Sequence, residues 1–348
     1  MNTDIALWLL QDGVTSGAIY ALLALALLLV FAVTRVIFVP QGEFLVYAAL
    51  SMGWLQQGLV PGTAWLLVGM GALVALVETV HALRAREPRR LAGIAAKFVA
   101  APLALAALTV WAAPRQLPIA AQAALVVALI VPLGPLVYRI AYRPLAQASV
   151  LVLFIVSMAV HYALAGIALV MFGGEGLRTN KISDAKFDWG VLQLGAQSLW
   201  VIGASIACML ALWLFFERTL AGKALRATAI NRIGSLLVGI PIEFSGRLAF
   251  ALAAGIGAVS GILISPITTI YYDTGLMFGL KGFVGAILGG MASYPLAAVG
   301  ALIVGLLESF SSFWLSAYKE VIVFTVIIPV LLWRSLASSH PAVEDEDE

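Results

Sequence analysis

The chain has 348 residues, 62% of them hydrophobic and 11% charged, with a mean hydropathy of +1.04. Soluble globular chains carry about 25% charged residues. So little charge cannot cover a water-facing surface, which excludes a soluble enzyme or a nucleic-acid-binding protein and leaves a polytopic membrane protein. Net charge is +2, yet five acids close the chain, Glu344, Asp345, Glu346, Asp347 and Glu348; the remainder sets 20 cations against 13 acids.

A membrane span needs about 20 predominantly apolar residues. In chain order this ruler gives 13–33, 43–58, 64–83, 98–113, 118–138, 149–172, 199–216, 248–267, 276–292, 294–312 and 321–333. The expectation is an all-α membrane protein with about eleven transmembrane helices, within a range of nine to thirteen. No Lys or Arg precedes Arg35, so the first run reads as a retained span rather than a cleaved signal peptide. Residues 84–138 read as an extra hairpin region, opening on the basic stretch Arg84 to Arg90 and turning between Pro114 and Pro118. Residues 276–312 suit tilted or broken helices. One membrane domain over 1–335 and a disordered acidic tail over 336–348 complete the organisation.

Cytoplasmic loops concentrate Lys and Arg. Arg35, Arg334 and the loops 84–97, 139–148 and 217–247 hold 14 of the 20 cations. The loop 173–198 instead balances Arg178, Lys181 and Lys186 against Glu175, Asp184 and Asp188. This places the N-terminus outside, the C-terminus inside and 173–198 as the longest external loop. Glycine pairs such as Gly13 and Gly17, Gly257 and Gly261, and Gly285 and Gly289 suit close helix packing in lipid. The alternative is that the stretches at Gly255–Gly261 and Gly279–Gly290 line a path and slide.

Missing chemistry narrows the reading further. Gly222-Lys223 is followed by Ala224 and preceded by Glu217, so no G-x-x-x-x-G-K-[ST] loop cradles ATP phosphates. His81, His161 and His340 are too scattered in sequence to suggest a metal site. The single cysteine, Cys208, allows no intrachain disulfide. No nucleophile set stands out.

The cytoplasmic segment from Thr219 to Ile240 has helical periodicity despite its loop-like hydropathy. Ile233, Leu236, Leu237 and Ile240 fall on one stripe; Asn231 is placed to cap this helix, and Gly239 and Pro241 to end it. Such a helix either lies on lipid headgroups or docks into a groove on a partner. The segment resembles the cytoplasmic coupling loop of the branched-chain amino acid ABC transporter permease family, whose pattern G-[RK]-A-x-R-A-x-x-x-N then L-x-G-I is matched by Gly222, Lys223, Ala224, Arg226, Ala227, Asn231, Leu237, Gly239 and Ile240. Three further blocks are similar to that family: Gly17 to Leu25 in the first span, the turn Tyr142-Arg143-Pro144-Leu145, and Gly279 to Gly290 followed by Ser293, Pro295, Gly300, Gly305, Leu306 and Glu308.

The resemblance implies a permease subunit of a bacterial inner-membrane importer. Its partners would be a second permease, two cytoplasmic ATPase subunits and an extracytoplasmic solute-binding protein. ATP and Mg would be bound by the ATPases, with no cofactor on this chain. Gly222, Lys223, Arg226, Asn231, Ile233, Leu236, Leu237 and Gly239 would then couple the spans to the ATPases. One block departs. The family's second span opens close to I-N-F-A-H-G-E, whereas this chain reads Ile37-Phe38-Val39-Pro40-Gln41-Gly42-Glu43. The cargo therefore stays open among branched-chain amino acids, urea or short amides, and small aromatic or aliphatic carboxylates. A stand-alone secondary transporter or channel is the rival reading, with intramembrane acid or histidine relays as its signature.

Polar groups inside a span are functional candidates by default. Gln41, Gly42, Glu43, His161, Asp273 and Lys281 are the candidates for a path or gate. Each has a plainer alternative. Glu43 caps the start of the second span near the cytoplasmic face, His161 bonds a neighbouring helix, Lys281 pairs with Asp273 or Glu308, and Asp273 ends an external loop.

Overall fold

The computed structural model describes residues 3–337 except 88, 184, 190, 191 and 292. Helix dominates, as expected where lipid leaves no solvent partner for an open backbone. Helices α1 (Thr3–Thr34), α2 (Gln41–Gln56) and α3 (Gly62–Arg84) come first. They are followed by α4 (Arg89–Arg115), α5 (Ile119–Leu145) and α6 (Val150–Phe172). A short antiparallel hairpin, β1 (Lys186–Trp189) and β2 (Leu192–Gly195), occupies the expected external loop and is the one β element among the described residues. Then come α7 (Ala196–Arg218), α8 (Leu220–Ile230), α9 (Arg232–Leu237), α10 (Ile242–Ile264), α11 (Thr274–Leu288), α12 (Tyr294–Trp314) and α13 (Ser316–Trp333). Residues 338–348, most of the expected acidic tail, lie outside the described residues.

Among the described residues, nine helices are long and apolar enough to cross a membrane. Two of the eleven expected spans fall short. α2 has 16 residues and α11 has 15, or roughly 22–24 Å at 1.5 Å per residue, against a hydrocarbon core about 30 Å thick. Both are shortened spans that start inside the bundle.

α1 is the central post. From Gly13 onward it is apolar all round and largely buried, the pattern of a core helix rather than a surface one, while Ile5, Leu7, Trp8 and Leu10 near its start are exposed. It packs against α10, α11 and α12, and meets α12 backbone to backbone where a β-carbon at Gly13, Gly17 or Gly305 would find no room. α4 and α7 lie at the rim with most of their apolar surface exposed, as lipid-facing helices do. α4 and α5 are joined by a tight turn in which Gln116 takes φ 43° and Pro118 precedes the first residue of α5. At the opposite end of α5, Arg139 pairs with Glu78 of α3, Arg143 bonds Glu78 at 2.8 Å, and Arg143 also reaches Glu243 of α10 at 3.3 Å. Together with Arg247 and the residues of α8 and α9, these groups define the basic face of the molecule.

Candidate functional site

The candidate site lies where α2 and α11 begin. After α1 ends at the exposed Arg35, residues 36–40 turn back into the bundle instead of running along its surface. Val36 and Phe38 are buried, and Val39 and Pro40 form the turn that opens α2, with Gln41 N donating to the Phe38 carbonyl at 3.2 Å. Phe38 holds this segment in place. It is fully buried, with its ring centroid 4.7 Å from that of Phe250, 5.7 Å from Phe44 and 5.8 Å from Tyr142. Phe38 is one of the residues that depart from the family block, and its aromatic cage gives that departure a packing reason.

α2 therefore opens at mid-depth. Gln41 Nε2 donates to the carbonyl of Ala253, midway along α10, at 2.9 Å. Glu43 Oε1 lies 2.9 Å from His161 Nδ1, midway along α6. Gln41 and Glu43 are fully buried and His161 is 4% exposed. The expectation that Glu43 sits near the cytoplasmic face is thus corrected. Hydropathy sees only that a span starts near residue 43, not that the preceding segment re-enters the bundle. His161 does bond a neighbouring helix, and its partner is Glu43 itself.

α11 begins at the same depth and runs the other way. Gly42 and Gly275 meet backbone to backbone: a β-carbon on Gly42 would overlap the Gly275 carbonyl oxygen, and one on Gly275 would press on the Glu43 carboxylate. From this contact α2 climbs away from the basic face, Gly53 lying against Leu177 and the Gln56 side chain accepting from Asn180 N at 2.8 Å. α11 descends towards the basic face, where Met291 and Tyr294 line a groove with Arg226 and Ile230. Two helix N-termini, each equivalent to roughly half a positive charge, thus converge on one carboxylate. Two oxygens at this junction, Glu43 Oε2 and Gln41 Oε1, are buried without a hydrogen-bond partner. A buried acceptor left unpaired costs about 1–3 kcal/mol, so the junction is poised to accept a donor. Discontinuous helices that expose their termini near the midplane are a recurring way to build a transport site.

Lys281 belongs to a second polar group on the far side of α1. Its Nζ lies 2.6 Å from Glu308 Oε1 and 3.2 Å from Glu320 Oε1, and Tyr20 donates to the other oxygen of Glu308. Of the two partners anticipated for Lys281, the structure selects Glu308; Asp273 stands exposed just before α11. Glu320 and Tyr20 escaped sequence reasoning because each looks like an ordinary residue at a helix end or in an apolar run. Glu78, by contrast, is an acid inside an apolar span, and that alone marks it for attention.

On the basic face, Thr219 Oγ1 accepts from Gly222 N at 2.9 Å and caps α8, while Asn231 Oδ1 accepts from Gly234 N at 2.8 Å and caps α9. A β-carbon on Gly222 would overlap the Phe215 carbonyl, so glycine is needed where α8 folds back on α7. Arg226 pairs with Glu217 at 2.7 Å. α9 is shorter than the expected stripe and stops before Ile240, with Gly239 at φ 84° ending it. Ile233, Leu236 and Leu237 remain 74%, 52% and 85% exposed. Coupling residues and junction residues do not form one site; they lie on the basic face and at mid-depth respectively.

The sequence profile described as branched-chain amino acid transport system, permease component, matches residues 93–331. The chain is 26% identical to the high-affinity branched-chain amino acid transport system permease protein LivH of Salmonella typhimurium over 337 residues, covering 92% of this chain and 91% of the relative. The LivH protein of Escherichia coli K12 is 27% identical with the same coverage. BraD of Pseudomonas aeruginosa, also named a high-affinity branched-chain amino acid transport system permease protein, is 27% identical over 208 residues, covering 58% of this chain and 68% of BraD. No solved structure matches the chain. With a multi-pass helical bundle and a profile match over more than half its length, this chain belongs to the branched-chain amino acid transport permease family.

Proposed function

We propose that this chain is one permease subunit of an ATP-driven importer of the bacterial inner membrane, carrying a small solute of the branched-chain amino acid type. A second permease completes the path, an extracytoplasmic binding protein delivers cargo, and two cytoplasmic ATPases bind ATP and Mg. The observation that carries this reading is the mid-depth junction of α2 and α11, where helix N-termini and the acceptors of Glu43 and Gln41 meet inside an otherwise apolar bundle. A zwitterion suits such a place, its carboxylate facing helix N-termini and its ammonium facing carboxylate and amide oxygens. Gln41, Gly42, Glu43 and His161 act at the gate, Asp273 stands near the entry, and Lys281 fixes the position of α11.

Coupling runs through α8 and α9. Gly222, Asn231 and Gly239 shape this helix pair, and Ile233, Leu236 and Leu237 present the docking surface. Lys223 and Arg226 flank it. Closure of the ATPases would push this pair and shift α11 against α2, a rigid-body gating movement. The test is ATP-dependent uptake of radiolabelled leucine by vesicles holding the purified assembly, with the L236D/L237D double variant beside it. Uptake should vanish in the variant while the protein still inserts; uptake that survives intact sinks the docking role.

The Glu43–His161 pair is the one feature that favours a stand-alone secondary transporter, since a buried acid–histidine pair can relay a proton. Under that reading the chain alone would move leucine on a proton gradient without ATP.

A further inference from the structure

We infer that the groove between the end of α5 and the start of α9 is a binding site for the phosphate headgroup of an anionic phospholipid. The groove holds about 410 Å³; Tyr138, Arg143, Arg232, Ile242 and Glu243 line it, and Ile233 closes its α9 edge where it borders the docking surface. It sits at headgroup depth, because Tyr138 lies in the last two turns of one span and Ile242 opens another.

Charge at this place does not balance. Arg139 and Arg143 share Glu78, and Glu243 receives Arg139 at 3.7 Å, Arg143 at 3.3 Å and Arg247 at 3.9 Å. Lys97 and Arg139 both lie over the Phe98 ring, at 5.6 Å and 4.9 Å from its centroid. Five cations, counting Arg232, therefore face two carboxylates. Arg232 carries the surplus into the groove. It makes a single long bond, 3.5 Å to the Ala146 carbonyl, and its Nε is buried without a partner. A cationic pocket between helices on the basic side of a membrane protein is the recurring setting for anionic headgroups, and a guanidinium matches phosphate in geometry as well as charge.

The walls beyond the groove select lipid over a soluble phosphate. Ile140, Val150, Leu151 and Phe244 are 37%, 46%, 68% and 40% exposed on the helices that frame it, so acyl chains find apolar surface directly beside the charged site. Glu243 on the wall excludes a doubly charged anion more strongly than the single charge of a phosphodiester.

The test is native mass spectrometry of the chain in its purified assembly, dosed with phosphatidylglycerol or phosphatidylcholine. Wild type should retain phosphatidylglycerol in preference. R232Q breaks no ion pair, so folding is preserved; it should lower that retention about five-fold, the worth of one cation at a membrane surface. R232K should restore most of it, and R84Q, which alters an exposed cation outside the groove, should leave it unchanged. Equal retention of the two lipids, or an equal loss in R84Q, overturns the site. Displacement by millimolar inorganic phosphate reassigns it to a free anion, and retention of lipid only after the ATPase subunits are stripped from the assembly reassigns it to a protein surface; both outcomes overturn the lipid assignment.

Discussion

The α2–α11 junction and the α8–α9 pair are opposites in chemistry. At the junction, polar groups sit where a membrane protein should be apolar: Glu43, Gln41 and His161 are all less than 5% exposed. On the basic face, apolar groups stand where the chain should be polar, with Leu237 85% and Leu220 87% exposed. Each inversion is costly alone and marks a place completed by something else. Buried acceptors without donors await a ligand, water or proton; exposed leucines on a capped helix await a partner surface. On its α2 side the first is pinned to α6 and α10 by hydrogen bonds. The second is anchored on its inner side by Leu225 and by Thr228, which bonds Ser245 of α10 at 2.9 Å, while its outer side stays open to a partner.

That contrast can be broken from either end, and the effects should fall in order. Lys281→Met leaves Glu308 and Glu320 facing each other beside Tyr20 without a cation. Removing one partner of a buried ion pair costs about 3–5 kcal/mol, so unfolding in detergent should occur at a much lower temperature. Restoring part of that loss with K281M/E308Q would sharpen the point. Gly42→Leu forces a side chain into the Gly275 backbone, where overpacking costs about 1–3 kcal/mol, occasionally more; uptake should be lost together with stability. Glu43→Gln keeps the volume but weakens the bond to His161. Stability should fall by about 1–2 kcal/mol, while leucine uptake falls at least ten-fold if the carboxylate serves the cargo. Uptake unchanged in E43Q would return the pair to a purely structural role.

The basic face should behave differently. Arg226→Ala removes an ion pair with Glu217 in which both side chains are more than 40% exposed, and such pairs contribute about 0–1 kcal/mol. Melting should hardly move. L236D/L237D likewise should leave melting alone and abolish uptake. If the two leucines instead lowered stability as much as Gly42→Leu, they would be packing residues and the contrast between the regions would collapse.

Much of the fold is legible in the residues. Membrane residence follows from 11% charge, and each expected span contains a helix in the structure, because twenty apolar residues can satisfy their backbone in lipid in few other ways. The caps at Thr219 and Asn231 and the stop at Gly239 are local chemistry, readable within four residues of where they act. What hydropathy could not reveal is depth. The stretch 36–40 is a connection by any local rule, and only Phe38 finding Phe250 and Tyr142, over a hundred residues away, draws it to the middle of the bundle. The shortness of α2 and α11 has the same origin: a 15- or 16-residue apolar helix is a short span on paper, and becomes a broken one only when its first turn meets another helix at mid-depth.

The sequence by itself determined the class, the helical segments, the basic face and the family, since each rests on composition, on periodicity or on motifs contiguous in the chain. Tertiary structure decided which polar groups meet. Glu43 and His161 are 118 residues apart, Tyr20 and Glu308 are 288 apart, and Gly42 reaches Gly275 across most of the protein. Such pairings are set by how helices pack around α1, where small residues let backbones touch and a single buried charge must find its partner. No local pattern encodes that geometry, so the candidate site became visible only in three dimensions.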